Sequence, residues 1–181
     1  MESEGIVERI LKNIINLENI KKDYDKVTSA YFDYTKLVGN AQSSIKIVAQ
    51  DGSPILFEHS PLMKNAIKNN LEKSVKIQFA FHNDSSKNIA IQEFKERNPT
   101  LFSYMQNQFF RLYSDLYWIP QPHHIDFTII DSEFVYYENP HKQDEDNGAS
   151  IHKNPPFAKE LLNIFDKLIK ESVLIANSEL V

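Results

Sequence analysis

His123-His124-Ile125-Asp126-Phe127-Thr128-Ile129-Ile130-Asp131 is the stretch on which the reading of the fold turns. Ile125 to Ile130 is rich in β-branched and aromatic residues and predicts a strand that Asp131 ends. Glu133 to Tyr137 follows after only Asp131-Ser132, a spacing that fits an antiparallel hairpin. Successive strand residues point to opposite faces, so His123 and His124 are poorly placed to share one ion, whereas His124 and Asp126 share a face. A hydrogen-bonded His124–Asp126 pair is therefore favoured over a metal cluster that also draws on His123 and His141. Neither a metal nor a cofactor is expected.

Upstream of this stretch the pattern alternates between helix and strand. A helix from about Lys26 to Gln42 would bury Val27, Tyr31, Tyr34, Leu37, Val38 and Ala41. Ser44 to Ala49 reads as a strand, ended by the turn signal Asp51-Gly52-Ser53-Pro54. Ser60-Pro61 opens a helix running to about Lys73, with Leu62, Ile67 and Leu71 inward. Val75 to Phe81 alternates as a second strand, and the loop His82 to Ser86 leads to a short helix through Ile89, Ile91 and Phe94. Asn98-Pro99 starts another helix, with Leu101, Met105, Phe109 and Leu112 on one face. Both strand–helix–strand units are long enough for a crossover, which favours parallel pairing.

Downstream, His141 to Asn147 is a polar, charged loop. Ala149 to His152 forms a short strand, and Pro155-Pro156 opens a last helix carrying Phe157, Leu161, Phe165 and Leu168. At the other terminus, Ile6, Val7, Ile10, Leu11, Ile14 and Leu17 make an apolar stripe on a first helix. The expected organisation is a helical extension over residues 1–25 and one α/β domain over 26–181, a single mixed sheet flanked by helices.

Composition removes several classes of function. At 181 residues the chain can bury one full core, and with no cysteine it holds no disulfide, thiolate metal site or cysteine nucleophile. No apolar run approaches the roughly 20 residues of a membrane span, and a secretory signal is not expected from the acidic start Met1 to Gly5. A cytoplasmic location is expected. The formal net charge of −5, with lysines scattered among acids, argues against direct nucleic acid binding. No glycine-elbow serine motif and no phosphate loop is present.

His124, two residues on Asp126, and after four more Asp131 together resemble the phospholipase D superfamily signature H-x-K-x4-D, and the element order from Lys26 to Ser172 agrees with one half of that fold. The chain departs from the signature where it matters most. Asp126 stands at the lysine position, and Glu138-Asn139-Pro140-His141 stands where active members place Gly-Ser/Thr-x-Asn. In active members paired histidines act as nucleophile and general acid, and lysines neutralise the phosphoryl oxygens. The resemblance thus implies a catalytically inactive, sensory or regulatory relative that binds a small-molecule ligand and forms a homodimer. The alternatives are a divergent phosphodiesterase using His124 across a dimer, and a protein-interaction domain with a vestigial cleft.

In open α/β sheets ligands gather at the carboxyl ends of the parallel strands. The resemblance implies that this end brings Asp51, Ser53, His82 and Asn83 to the same cleft as His124 and Asp126. Trp118, in the aromatic segment Tyr113, Tyr117, Trp118 that leads into the motif strand, would form its wall. Core packing is the ordinary role of such aromatics.

Overall fold

A computed structural model describes residues 33–50, 60–120, 126–138 and 149–175. The first of these segments opens with helix α1, described over residues 33–39. It is followed by β1 (Ser44–Gln50), α2 (Pro61–Glu72), β2 (Lys76–His82), α3 (Lys87–Arg97) and α4 (Pro99–Gln106). A 3-10 turn (Phe110–Leu112) then leads into β3 (Ser114–Ile119), β4 (Asp126–Ile130), β5 (Phe134–Glu138), β6 (Ala149–Lys153), α5 (Pro155–Glu171) and β7 (Val173–Leu174). The strands form one mixed sheet in the order β6-β5-β4-β1-β2-β3-β7. β1, β2 and β3 are parallel neighbours, and every other pairing is antiparallel.

Alternation along the strands divides the core into two layers. Ile45, Ile47, Ile77, Phe79, Phe81, Leu116 and Ile130 face α1 to α4, and Val48, Ala80, Ile119, Phe127, Ile129 and Val135 face α5. The helices dock by most of the residues expected of them, Tyr34 and Val38 from α1, Ile91 and Phe94 from α3, and Leu161, Phe165 and Leu168 from α5, with Ala90 and Ala158 buried beside them. α2 starts as its sequence directs. Ser60 Oγ accepts from Met63 N at 3.2 Å, and Pro61 fills the first turn. α5 repeats the device with Asn154 and Pro155.

Three sequence expectations change. The helix opened at Pro99 stops at Gln106, because the Asn107 side chain accepts from Phe109 N at 2.9 Å and Phe110 N at 3.4 Å and turns the backbone out of the helix. Phe109 and Leu112 are consequently exposed rather than inward. Ser114–Ile119 is then a strand, and it, not the motif strand, is the second parallel partner of β2. The motif strand β4 lies antiparallel beside β1. Only the six residues from Pro120 to Ile125 separate β3 from β4, too few for a parallel crossover. Leu62 and Ile89 are also exposed, and Met63 and Ala90 take the inward positions. The expected extension at 1–25, the turn Asp51 to Pro54 and the loop His141 to Asn147 lie outside the described residues.

The β4–β5 connection is an antiparallel hairpin closed by Glu133 N–H donating to Ile130 O at 3.1 Å. Its central residues, Asp131 and Ser132, have φ of 53° and 59°, as in a type I′ turn. The left-handed region costs an L-residue about 1–2 kcal/mol relative to glycine. Ser132→Gly is therefore expected to stabilise the fold by about 0.5–1 kcal/mol once glycine's greater freedom in the unfolded chain is subtracted. Urea denaturation checks this, and a midpoint that falls would show that Ser132 makes a compensating contact.

Candidate functional site

β1, β2 and β3 share one direction, so their carboxyl ends and the start of antiparallel β4 meet at one end of the sheet. There the structure brings His82 Nε2 to 3.9 Å from Asp126 Oδ1. The imidazole is 1 % exposed and the carboxylate 18 %, so the acid is the partner that reaches solvent. The two residues stand on β2 and β4, either side of β1. There the small side chain of Ala49 follows Val48, whose own partner is Phe127. Sequence reasoning named both residues but coupled Asp126 to His124. The signal for His82 was its place at the carboxyl end of a parallel strand.

The other expected site residues are distributed differently. Asn83 is buried, and its amide is engaged inside the chain: Nδ2 donates to Glu93 Oε2 at 2.6 Å and Oδ1 accepts from Ser85 N at 2.7 Å. That fixes the β2–α3 loop. Trp118 sits on β3 beside Phe81, three strand spacings from Asp126 in the sheet order, or roughly 14 Å. It packs on the α1–α4 side of the core, with its indole nitrogen buried. Trp118 is thus one strand from His82, whose own partner is Ile119, but remote from Asp126. Asp51, Ser53, His123, His124 and His141 fall outside the described residues.

Asp131 has a different task from Asp126. Five residues along one strand put it roughly 17 Å away, at the opposite end of the sheet. Its Oδ1 accepts from Ser43 N at 2.8 Å, Ser43 Oγ at 2.9 Å and Ser44 N at 3.1 Å, and its Oδ2 from Gln42 N at 2.9 Å. Partial burial alone would raise its pKa. The three backbone N–H groups and the Ser43 hydroxyl outweigh that and hold the carboxyl below its ordinary value. This second matched position of the signature is thus a clamp between the end of β4 and the start of β1.

A further polar group occupies the α5 side of β2 and β3. Asp115 Oδ2 lies 2.9 Å from Lys76 Nζ and accepts from Gln78 Nε2 at 3.2 Å and from the Tyr117 hydroxyl at 3.3 Å. Burial first, and the Asp115 charge second, raise the Tyr117 pKa against the opposing effect of Gln78. Among the described residues no group of three or more metal-ligating side chains converges. No described helix is long and apolar enough to cross a membrane.

The architecture can be compared with known proteins. No protein-family model matches the sequence, and no curated protein matches it. Solved structures do. NucT from Helicobacter pylori superposes with a TM-score of 0.54 at 13 % identity, over 88 % of this chain and 95 % of that one. Phosphatidylserine synthase from Haemophilus influenzae Rd KW20 gives 0.56 at 9 %, over 82 % of this chain and 37 % of that one. The fold is phospholipase D-like. A third match is TrmBL2, an archaeal chromatin protein described as showing a novel mode of DNA binding. Its TM-score is 0.56 at 13 % identity, over 81 % of this chain and 50 % of that one. This chain therefore spans half the length of TrmBL2.

The likeness to TrmBL2 corrects one expectation. Net charge was read as disfavouring direct nucleic acid binding, yet a chromatin protein containing this phospholipase D-like fold binds DNA. The physical reason is that phosphate contacts are local, so a whole-chain charge of −5 does not exclude them.

Proposed function

We propose that this chain is a catalytically silent phospholipase D-like module that binds a ligand at the carboxyl end of its parallel strands, in a sensory or regulatory role. The observation that carries the proposal is the Asp126 carboxylate, which occupies the signature's lysine position and is set 3.9 Å from the buried His82. Phosphoryl transfer needs positive charge aimed at the oxygens that gain electrons. Exchanging lysine for aspartate changes the local charge by two units, each worth about 3–4 kcal/mol at ~4–5 Å and an effective dielectric of about 20. A barrier raised that far removes several powers of ten in rate. A second reading, a DNA-binding module, is favoured by the likeness to TrmBL2.

One experiment serves both readings. The purified protein is incubated with bis(p-nitrophenyl) phosphate and with duplex DNA, with and without magnesium or manganese. Neither substrate is expected to be cleaved above background. Asp126→Lys is expected to remain inactive as well, because Glu138-Asn139-Pro140-His141 still replaces the downstream motif. Turnover that disappears in His124→Ala would overturn the silent reading. DNA that is retarded in a gel but left intact would favour the second.

A further inference from the structure

The amino ends of β1, β2 and β3 lie side by side, because Ser44 pairs with Lys76 and Ile77 with Ser114. The turns that feed these strands are tied together at that level. Lys76 N–H donates to Ser43 O at 3.0 Å, and Ile77 N–H donates to Tyr113 O at 2.7 Å. Three exposed cations stand in or just before these turns: Lys36 in the last turn of α1, Lys73 at the end of α2 and Arg111 in the 3-10 turn. Asn40, Gln42, Ser43 and Ser74 are exposed in the same turns and offer neutral hydrogen-bonding groups.

The acids nearest to these turns are already engaged inside the chain. Asp131 accepts from Gln42, Ser43 and Ser44, Asp115 lies 2.9 Å from Lys76, and Glu72 lies 3.7 Å from Lys68. Among the described residues no carboxylate pairs with Lys36, Lys73 or Arg111. A lysine at a helix C-terminus answers the partial negative charge of the last carbonyls, which accounts for Lys36 and Lys73 taken singly. Arg111 belongs to no α-helix, and the gathering of all three at adjacent strand ends follows from the sheet order.

We infer, resting on the DNA-binding reading above, that this end of the sheet is the surface that meets the phosphate backbone of duplex DNA. It lies opposite the His82–Asp126 pair, so a duplex and a ligand at that pair would occupy different ends of the fold. Adjacent strands stand about 4.8 Å apart, and the three turns therefore extend over roughly 10 Å. A duplex carries one negative charge per ~1.7 Å of its axis, so cations spread over that distance meet several phosphates at once. The amide and hydroxyl groups beside them add phosphate contacts that read no sequence. With a net charge of −5 on the whole chain, a duplex is steered to the end where cations are uncompensated. Binding through this surface is sensitive to salt and indifferent to sequence.

Fluorescence anisotropy of the full chain with two labelled duplexes of unrelated sequence, at about 50 and 200 mM salt, is the test. Wild type is expected to bind both alike, and more weakly at the higher salt. Lys73→Glu with Arg111→Glu should lose at least about tenfold in affinity at the lower salt and flatten the slope of log K against log salt by about 2. Lys167→Glu with Lys170→Glu changes the net charge equally. Those exposed positions are near the end of α5, which leads to Val173 beside Trp118 near the carboxyl end of β3. That pair should lose less than about threefold, because charges beyond about 10 Å are screened. Circular dichroism checks that each variant is folded, and Lys73→Gln with Arg111→Gln reads the same slope if the glutamate pair is not. A wild type that binds neither duplex would overturn the DNA-binding reading and this surface together. DNA binding that survives the Lys73 and Arg111 changes, or that falls equally in the α5 variant, would overturn this surface and leave the reading standing.

Discussion

Replacing Phe94 by alanine is expected to cost about 3–5 kcal/mol, the usual range for emptying a fully buried phenylalanine site. Phe94 is 0 % exposed, and its ring lies 5.3 Å from that of Phe79 and 4.9 Å from that of Phe81. These two contacts anchor α3 to β2, and the second is one residue from His82. The loss comes from removed apolar burial and from a cavity that two aromatic neighbours on a sheet cannot collapse to fill. Since domains of this kind have about 5–15 kcal/mol in total, the variant should be largely destabilised at 37 °C. Urea denaturation measures the effect, and Phe94→Leu should lose distinctly less. A cost below about 1 kcal/mol would mean that α3 is not docked on the sheet in this way.

Asp131→Asn is expected to cost about 1–3 kcal/mol at pH 7. The charge-assisted acceptor of four hydrogen bonds becomes an amide with a single acceptor oxygen, and solvent access to the site keeps the value modest. Asparagine tolerates the φ of 53°, so the backbone itself need not change. The sign of the pH dependence follows from the lowered pKa. A carboxyl whose pKa is depressed by folding stabilises fully above its unfolded value, about 3.9, and loses that contribution as pH falls through the lower folded value. The gap between wild type and variant should therefore be constant from pH 7 to about pH 5 and narrow below pH 4. A gap that is unchanged at pH 3, measured by urea titration, would show that the charge on Asp131 is not what holds β1 to β4.

The contrast between Asp131 and Asp126 shows how a motif can be read correctly as spacing and still divide in space. The spacing of five residues along a strand was fixed by the sequence alone, and so was the hairpin that Asp131 begins. What each carboxylate touches was not. Asp131 meets Gln42, Ser43 and Ser44, some 90 positions earlier in the chain, and Asp126 meets His82. Both encounters depend on β4 inserting beside β1 rather than following β3 in the sheet.

The sequence by itself determined the parts whose signal is local. The helix starts at Ser60-Pro61 and Pro155-Pro156, the strand patterns of β1, β2 and β4, and most of the stripe of α5 follow from periodicity and capping within a dozen residues. Tertiary structure decided the rest. The segment Ser114–Ile119 became a strand because the Asn107 turn released it from the preceding helix and β2 offered a free parallel edge. The order β4-β1-β2-β3 placed His82 near Asp126 and set Trp118 on the far side of His82, three strands from Asp126. The physical reason is that strand pairing joins residues remote in sequence, and the same alternating pattern satisfies a strand at any position in the sheet.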